Sequence, residues 1–222
     1  QAKDNYSTRI DSLIQTTSVR PFNGNVLITQ NGKTKYSKAY GYSDYAKKTP
    51  LKLSDPFVIL SNSKQITAVL ILQEVEKGKI VLNTPIKKYL PNLKQPWAST
   101  VTVENLLNHT SGIVDFEKPT AFPVGTQFKY TDLNYILLGQ IIERVTNKTY
   151  ETVVNELFKK NKMKDSFFPN ASNQKEIING RQYFKDNTTK EIHGIVIPKE
   201  RIPASGLVST VTDLALWNDL LH

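Results

Sequence analysis

Phe57-Val58-Ile59-Leu60-Ser61-Asn62-Ser63-Lys64 is an apolar extended run that hands over to a helix at a serine. A helix beginning near Ser61 puts residues three apart on one face, so the Lys64 side chain reaches the Ser61 hydroxyl. The Ser61 N–H then lies among the free donors at the positive end of the helix, where an oxyanion is stabilised. A serine needs a base to become a nucleophile, and a lysine that gives up its proton in an apolar pocket supplies one. The plain alternative for Ser61 is a helix-capping serine.

The same spacing recurs as Ser172-Asn173-Gln174-Lys175, inside the polar stretch Asn170–Glu176 and with no apolar run before it. Ser172 therefore reads as a turn or helix-cap residue, and Lys175 as a hydrated cation that cannot act as a base.

Outward from Ser61, the segment to Gly78 carries Ile66, Val69, Leu70 and Val75 over successive turns, and Gly78 offers a C-terminal cap. Upstream, Asn31-Gly32 joins two β segments, 25–30 and 34–42, as a tight hairpin. Tyr6, Ile10, Leu13 and Ile14 predict a helix over 3–17, before that hairpin. Downstream, helices are predicted over 102–108, capped by Thr102, then over 133–146, 149–160 and 212–222, with a hairpin around 185–189.

The chain has 222 residues, 39% of them hydrophobic, which suits one sizeable domain or two small lobes sharing a core. No run of eighteen apolar residues is present, so no membrane span is expected. Cysteine is absent, which removes disulfides, thiolate nucleophiles and cysteine-based metal sites. The net charge of +9 comes from 29 basic and 20 acidic residues, mostly lysine and scattered singly or in pairs. That pattern argues against nucleic acid as a partner and fits a solvated surface with weak attraction to polyanions.

Other chemistries find little support. The three histidines, His109, His193 and His222, accompany no Gly-x-Ser-x-Gly elbow, and no clustered metal ligands or glycine-rich phosphate loop occur. No cofactor or metal is expected. His109 reads as a residue that ties down a turn. Tyr130, at the entry to the 133–146 helix, is placed to shuttle protons between Ser61, Lys64 and a leaving group; read alone, it is a packing tyrosine.

Several segments together resemble the class C β-lactamase family, which includes penicillin-binding DD-peptidases and related carboxylesterases. They are Asn23-Gly24-Asn25-Val26-Leu27-Ile28, Ser61-Asn62-Ser63-Lys64, Leu106-Leu107-Asn108-His109-Thr110-Ser111-Gly112, Phe128-Lys129-Tyr130-Thr131-Asp132 and Pro203-Ala204-Ser205-Gly206-Leu207. The resemblance runs from about Phe22 to Leu221. It implies an α/β (α+β) fold of the β-lactamase/transpeptidase type: an antiparallel sheet flanked by helices, plus a mostly helical lobe, with the site between them. On that reading residues 1–75 and 204–222 belong to the α/β lobe and 76–203 to the helical one.

The resemblance also implies roles. Ser61 is the acyl-accepting nucleophile, with Lys64 and Tyr130 as its proton relay, acting on an ester, peptide or β-lactam carbonyl. The setting it implies is periplasmic or extracellular. Three departures qualify this. Asp132 replaces the usual asparagine at a substrate-binding position, so an acceptor-only carboxylate stands where an amide would donate to a substrate carbonyl. Leu60 replaces a small residue before the serine, which narrows the pocket. The family's third motif lies beyond His222, so a fragment is expected, with the sheet incomplete and the remainder supplied by a further segment or a second chain. The alternative is a β-lactamase-like binding or scaffold protein without turnover.

Overall fold

The computed structural model describes residues 6–16, 21–186, 188–192 and 197–221. His193 and His222 lie outside them. Strands β1 (Gly24–Gln30) and β2 (Lys33–Tyr40) pair antiparallel from Gly24↔Tyr40 to Gln30↔Lys33, with a bulge between Ile28 and Thr29. Asn31 and Gly32 turn the chain with φ of 51° and 67°, the left-handed pair that a two-residue hairpin loop requires. Helix α1 (Tyr6–Thr16) is tied to β2 by one carboxylate: Asp11 accepts from the Tyr36 and Tyr40 hydroxyls at 2.5 Å each and from Lys38 at 3.0 Å.

A second hairpin, β3 (Tyr42–Asp44) with β4 (Thr49–Pro50), occupies what the sequence suggests is a lysine-rich loop. Strand β5 (Phe57–Val58) then leads through a 3-10 turn at Leu60–Asn62 into α2 (Ser63–Glu76). Ile66 and Ile71 of α2 are fully buried. The loop after α2 is punctuated by 3-10 turns at Ile86–Lys88 and Pro96–Ser99, which bury Ile86, Trp97 and Ala98.

Helix α3 (Val103–Leu107) begins at a reciprocal cap between Thr102 and Asn105. Helices α4 (Asp132–Thr146) and α5 (Tyr150–Lys160) start on the side chains of Thr131 and Thr149. Leu138, Ile141 and Ile142 of α4 pack with Ile66 and Ile71 of α2 and Val154 of α5 in one continuous core. Strands β6 (Gly180–Tyr183) and β7 (Thr189–Ile192) form the predicted hairpin. The short helix α6 (Ile202–Ser205), strand β8 (Val208–Ser209) and helix α7 (Val211–Leu221) follow.

Among the described residues the strands form four two-stranded antiparallel ladders, β1-β2, β3-β4, β5-β8 and β6-β7, rather than one continuous sheet. The class, helices mixed with small antiparallel sheets, is as expected.

Candidate active site

Ser61 is fixed from both sides. The β5-β8 pairing (Phe57↔Ser209, Val58↔Val208) is extended by an Ile59 N–H···O=C Leu207 bond of 2.9 Å. The Leu207 N–H in turn donates to Ser63 Oγ at 3.0 Å. Between these anchors Leu60 adopts φ +46°, a left-handed conformation that side chains resist, and the chain turns sharply enough to leave Ser61 exposed at the head of α2. Leu60 and Ser61 line a cavity of about 600 Å³ together with Phe22, Asn25, Phe57 and Leu214. The bulky residue before the serine thus forms part of the cavity wall.

One turn along, Lys64 is buried, and its Nζ faces three acceptors: Asp132 Oδ1 and the Ala204 carbonyl at 2.8 Å each, and Ser61 Oγ at 3.4 Å. The Ala204 carbonyl is held there by a chain of packing. Tyr150, whose phenol is raised by burial, donates to Thr67 Oγ1 at 2.7 Å, and Thr67 donates to the Pro203 carbonyl at 2.7 Å. Gly139 of α4 lets Pro203 approach, because a Cβ there would sit 2.5 Å from the proline ring.

Tyr130 Oη lies 2.6 Å from Ser61 Oγ, and Lys64 Nζ lies 4.8 Å from the centre of the Tyr130 ring. His109 packs against the same ring, at 4.7 Å between centroids. His109 itself has φ +61°, is buried, and accepts at Nδ1 from Asn134 Nδ2 at 3.2 Å and the Thr131 N–H at 3.5 Å. Asn134 Oδ1 accepts from Ser111 Oγ at 2.7 Å. Burial first, and then the charge of Lys64, push the His109 imidazole below its ordinary value against the smaller opposing pull of Asp132. A neutral ring accepting at Nδ1 is a support for Tyr130, as the turn-tying reading anticipates, and no hydrogen bond joins it to Ser61 among the described residues.

Asp132 opens α4, where the helix N-terminus favours a carboxylate. Burial alone would raise its carboxyl, but hydrogen bonds from Lys64 and Arg201, with their charges, hold it below the usual range. Arg201 Nη2 binds Oδ2 at 2.9 Å, so each oxygen of Asp132 faces a different cation. Arg201 escaped the sequence reading; the only pointer to it was its place two residues before Pro203-Ala204-Ser205-Gly206. Ser172 is far from this chemistry in kind: its hydroxyl and N–H both bind Asn170 Oδ1, at 2.6 and 2.9 Å, in an exposed turn.

Residues 17–221 match the family model described as Beta-lactamase. The chain belongs to the β-lactamase family. Among curated proteins it is 32% identical over 166 residues to the teichoic acid D-alanine hydrolase of Staphylococcus aureus, a match spanning 67% of this chain and 41% of that protein. It is 28% identical over 218 residues to protein flp of the same species, spanning 86% of this chain and 44% of that one. The chain therefore spans less than half the length of these relatives.

The crystal structure of FmtA from Staphylococcus aureus superposes with a TM-score of 0.82 at 26% identity, covering all of this chain and 67% of that one. The D-alanine carboxypeptidase AmpC from Burkholderia cenocepacia superposes at 0.80 and 26% identity, covering 95% of this chain and 62% of that one. These likenesses bear out the β-lactamase/transpeptidase-like fold expected from the motifs. Among the described residues, no helix is long and apolar enough to cross a membrane.

Proposed function

We propose that the protein is a serine acyl-transfer hydrolase with Ser61 as nucleophile. The observation that carries this is the position of Ser61 Oγ, 2.6 Å from Tyr130 Oη and 3.4 Å from Lys64 Nζ, at the mouth of a cavity. Asp132 and the Ala204 carbonyl accept but cannot donate. In the proposed reacting state the Lys64 ammonium has first released one proton to solvent, so that its two remaining N–H groups stay on these acceptors and its lone pair turns to the Ser61 hydroxyl.

Ser61 Oγ attacks the substrate carbonyl carbon while its proton passes to Lys64, directly or through Tyr130. The tetrahedral oxyanion is met by the Ser61 N–H at the head of the helix. We propose that a second donor comes from a part of the whole protein outside these residues. Collapse breaks the bond to the leaving group, which takes the relayed proton from Tyr130. Water, deprotonated by the same relay, then cleaves the acyl-enzyme and restores Ser61.

The relatives' names, a teichoic acid D-alanine hydrolase and a D-alanine carboxypeptidase, support a D-alanyl ester or peptide as the substrate class and a setting outside the cytoplasmic membrane. An ester is favoured over a β-lactam or peptide by Asp132, which offers a carboxylate where an amide donor would grip an acylamino carbonyl.

Treating the whole protein with a fluorophosphonate and mapping the labelled peptide tests the assignment. The expected adduct sits on Ser61 and is absent from Ser172. Ester cleavage that persists in Ser61→Ala would overturn it, and a protein that takes no label and cleaves no ester would be a binding scaffold instead.

A further inference from the structure

Among the described residues, Arg201 is a cation of the site that the proposed reaction does not use. It ends a 3-10 turn at Lys199–Arg201 that runs directly into α6, the helix whose Ala204 carbonyl holds Lys64. Its guanidinium is therefore carried on the same element as the machinery. Pro198 and Pro203 stiffen that element on either side, and a 2.8 Å bond from the Arg201 N–H to the Pro198 carbonyl closes the turn.

The chemistry around Arg201 is unbalanced toward donors. Asp132 cannot offer a hydrogen to a substrate, and its two oxygens already face Lys64 and Arg201. Arg201 presents five N–H groups, of which one, on Nη2, is engaged among the described residues, and its side chain is 51% exposed. A planar fork with a free edge, pinned in place by a carboxylate, is a preorganised receptor for a second oxyanion. Lys129 is exposed and next in sequence to Tyr130, and the chain as a whole carries +9.

We infer that Arg201 is a specificity-determining residue that binds an oxyanion group, phosphate or carboxylate, carried by the substrate beside its scissile ester. The inference rests on the Ser61 reading above and adds the charge class of the substrate. Asp132 then has two functions: it orients Lys64 through one oxygen and holds Arg201 in its receiving position through the other.

Steady-state hydrolysis by the whole protein tests this, using D-alanyl esters of three alcohols: glycerol phosphate, glycolate and uncharged ethylene glycol. The readout is the ratio of kcat/KM for each anionic ester to that for the neutral one. In Arg201→Gln this ratio is expected to fall about tenfold or more, chiefly through KM, with Arg201→Lys recovering part of it. Raising the salt concentration should shrink the wild-type preference as well. The arm that loses more, phosphate or carboxylate, identifies the group recognised. An unchanged ratio in Arg201→Gln, or equal losses of kcat on all three esters, overturns the inference and leaves Arg201 as a charge partner of Asp132. Absence of turnover on every ester by the wild type overturns the Ser61 reading, and this inference with it.

Discussion

Ser61-Asn62-Ser63-Lys64 and Ser172-Asn173-Gln174-Lys175 share residue types and spacing, and even share an asparagine after the serine. In the first, the serine heads a fourteen-residue helix whose inner face is core, and the lysine is sunk among a carboxylate, a carbonyl and a tyrosine ring. In the second, the serine is a turn residue bonded to Asn170, and the lysine sits in an exposed three-residue 3-10 turn. The motif itself confers nothing. Chemistry arises where long-range packing removes water from the lysine and supplies acceptors that fix its direction.

The strongest way to break that contrast is to delete each hydroxyl in turn. Ser61→Ala is expected to lower ester turnover by ~10³-fold or more, while Ser172→Ala, a surface change, stays within about twofold of wild type. Comparable losses from the two variants in a nitrophenyl-ester assay would sink the comparison.

A milder test perturbs the packing that singles out Lys64. Gly139→Ala drives a methyl against the Pro203 ring and should cost about 1–3 kcal/mol of stability, read as a lower denaturant midpoint. Because Pro203 carries Ala204, turnover should fall as well, by roughly tenfold or more, since small misplacements of a base are expensive. A variant with wild-type turnover would show that the Ala204 carbonyl does not orient Lys64.

The smallest effect concerns pH. His109 is held below its ordinary value of 6.5 in the fold, so the unfolded chain takes up this proton first as pH drops. The stability due to the neutral ring is complete above about 6.5 and is lost as pH falls from there toward the folded value. Denaturant midpoints measured between pH 7.5 and 5 should decline, and His109→Phe should flatten that decline. An identical slope in the two proteins would remove His109 from the account.

Much of this was legible in local sequence. Apolar periodicity announced α4 and α5, and the Thr102 cap announced α3, to within a residue or two, because helix ends are settled by neighbours along the chain. Asn31-Gly32 announced the first hairpin for the same reason. The β3-β4 hairpin went unread, since its strands are three and two residues long and flank a lysine-rich turn. The β5-β8 pairing joins residues about 150 positions apart, and Arg201 meets Asp132 across 69, distances over which composition and periodicity carry no signal. Ser61, Lys64 and Tyr130 were candidates from their local sequence and took their roles from the resemblance, and the structure brings all three within hydrogen-bonding or ring contact.

Leu60 holds a conformation that costs a leucine about 1–2 kcal/mol and is tolerated because hydrogen bonds on both flanks enforce it. The conventional route to a hardier protein, replacing such a residue with glycine, would here relax the very turn that presents Ser61. If Ser61 is the nucleophile as proposed, durability and turnover are set against each other at this position, and efforts to improve heat resistance belong elsewhere in the chain.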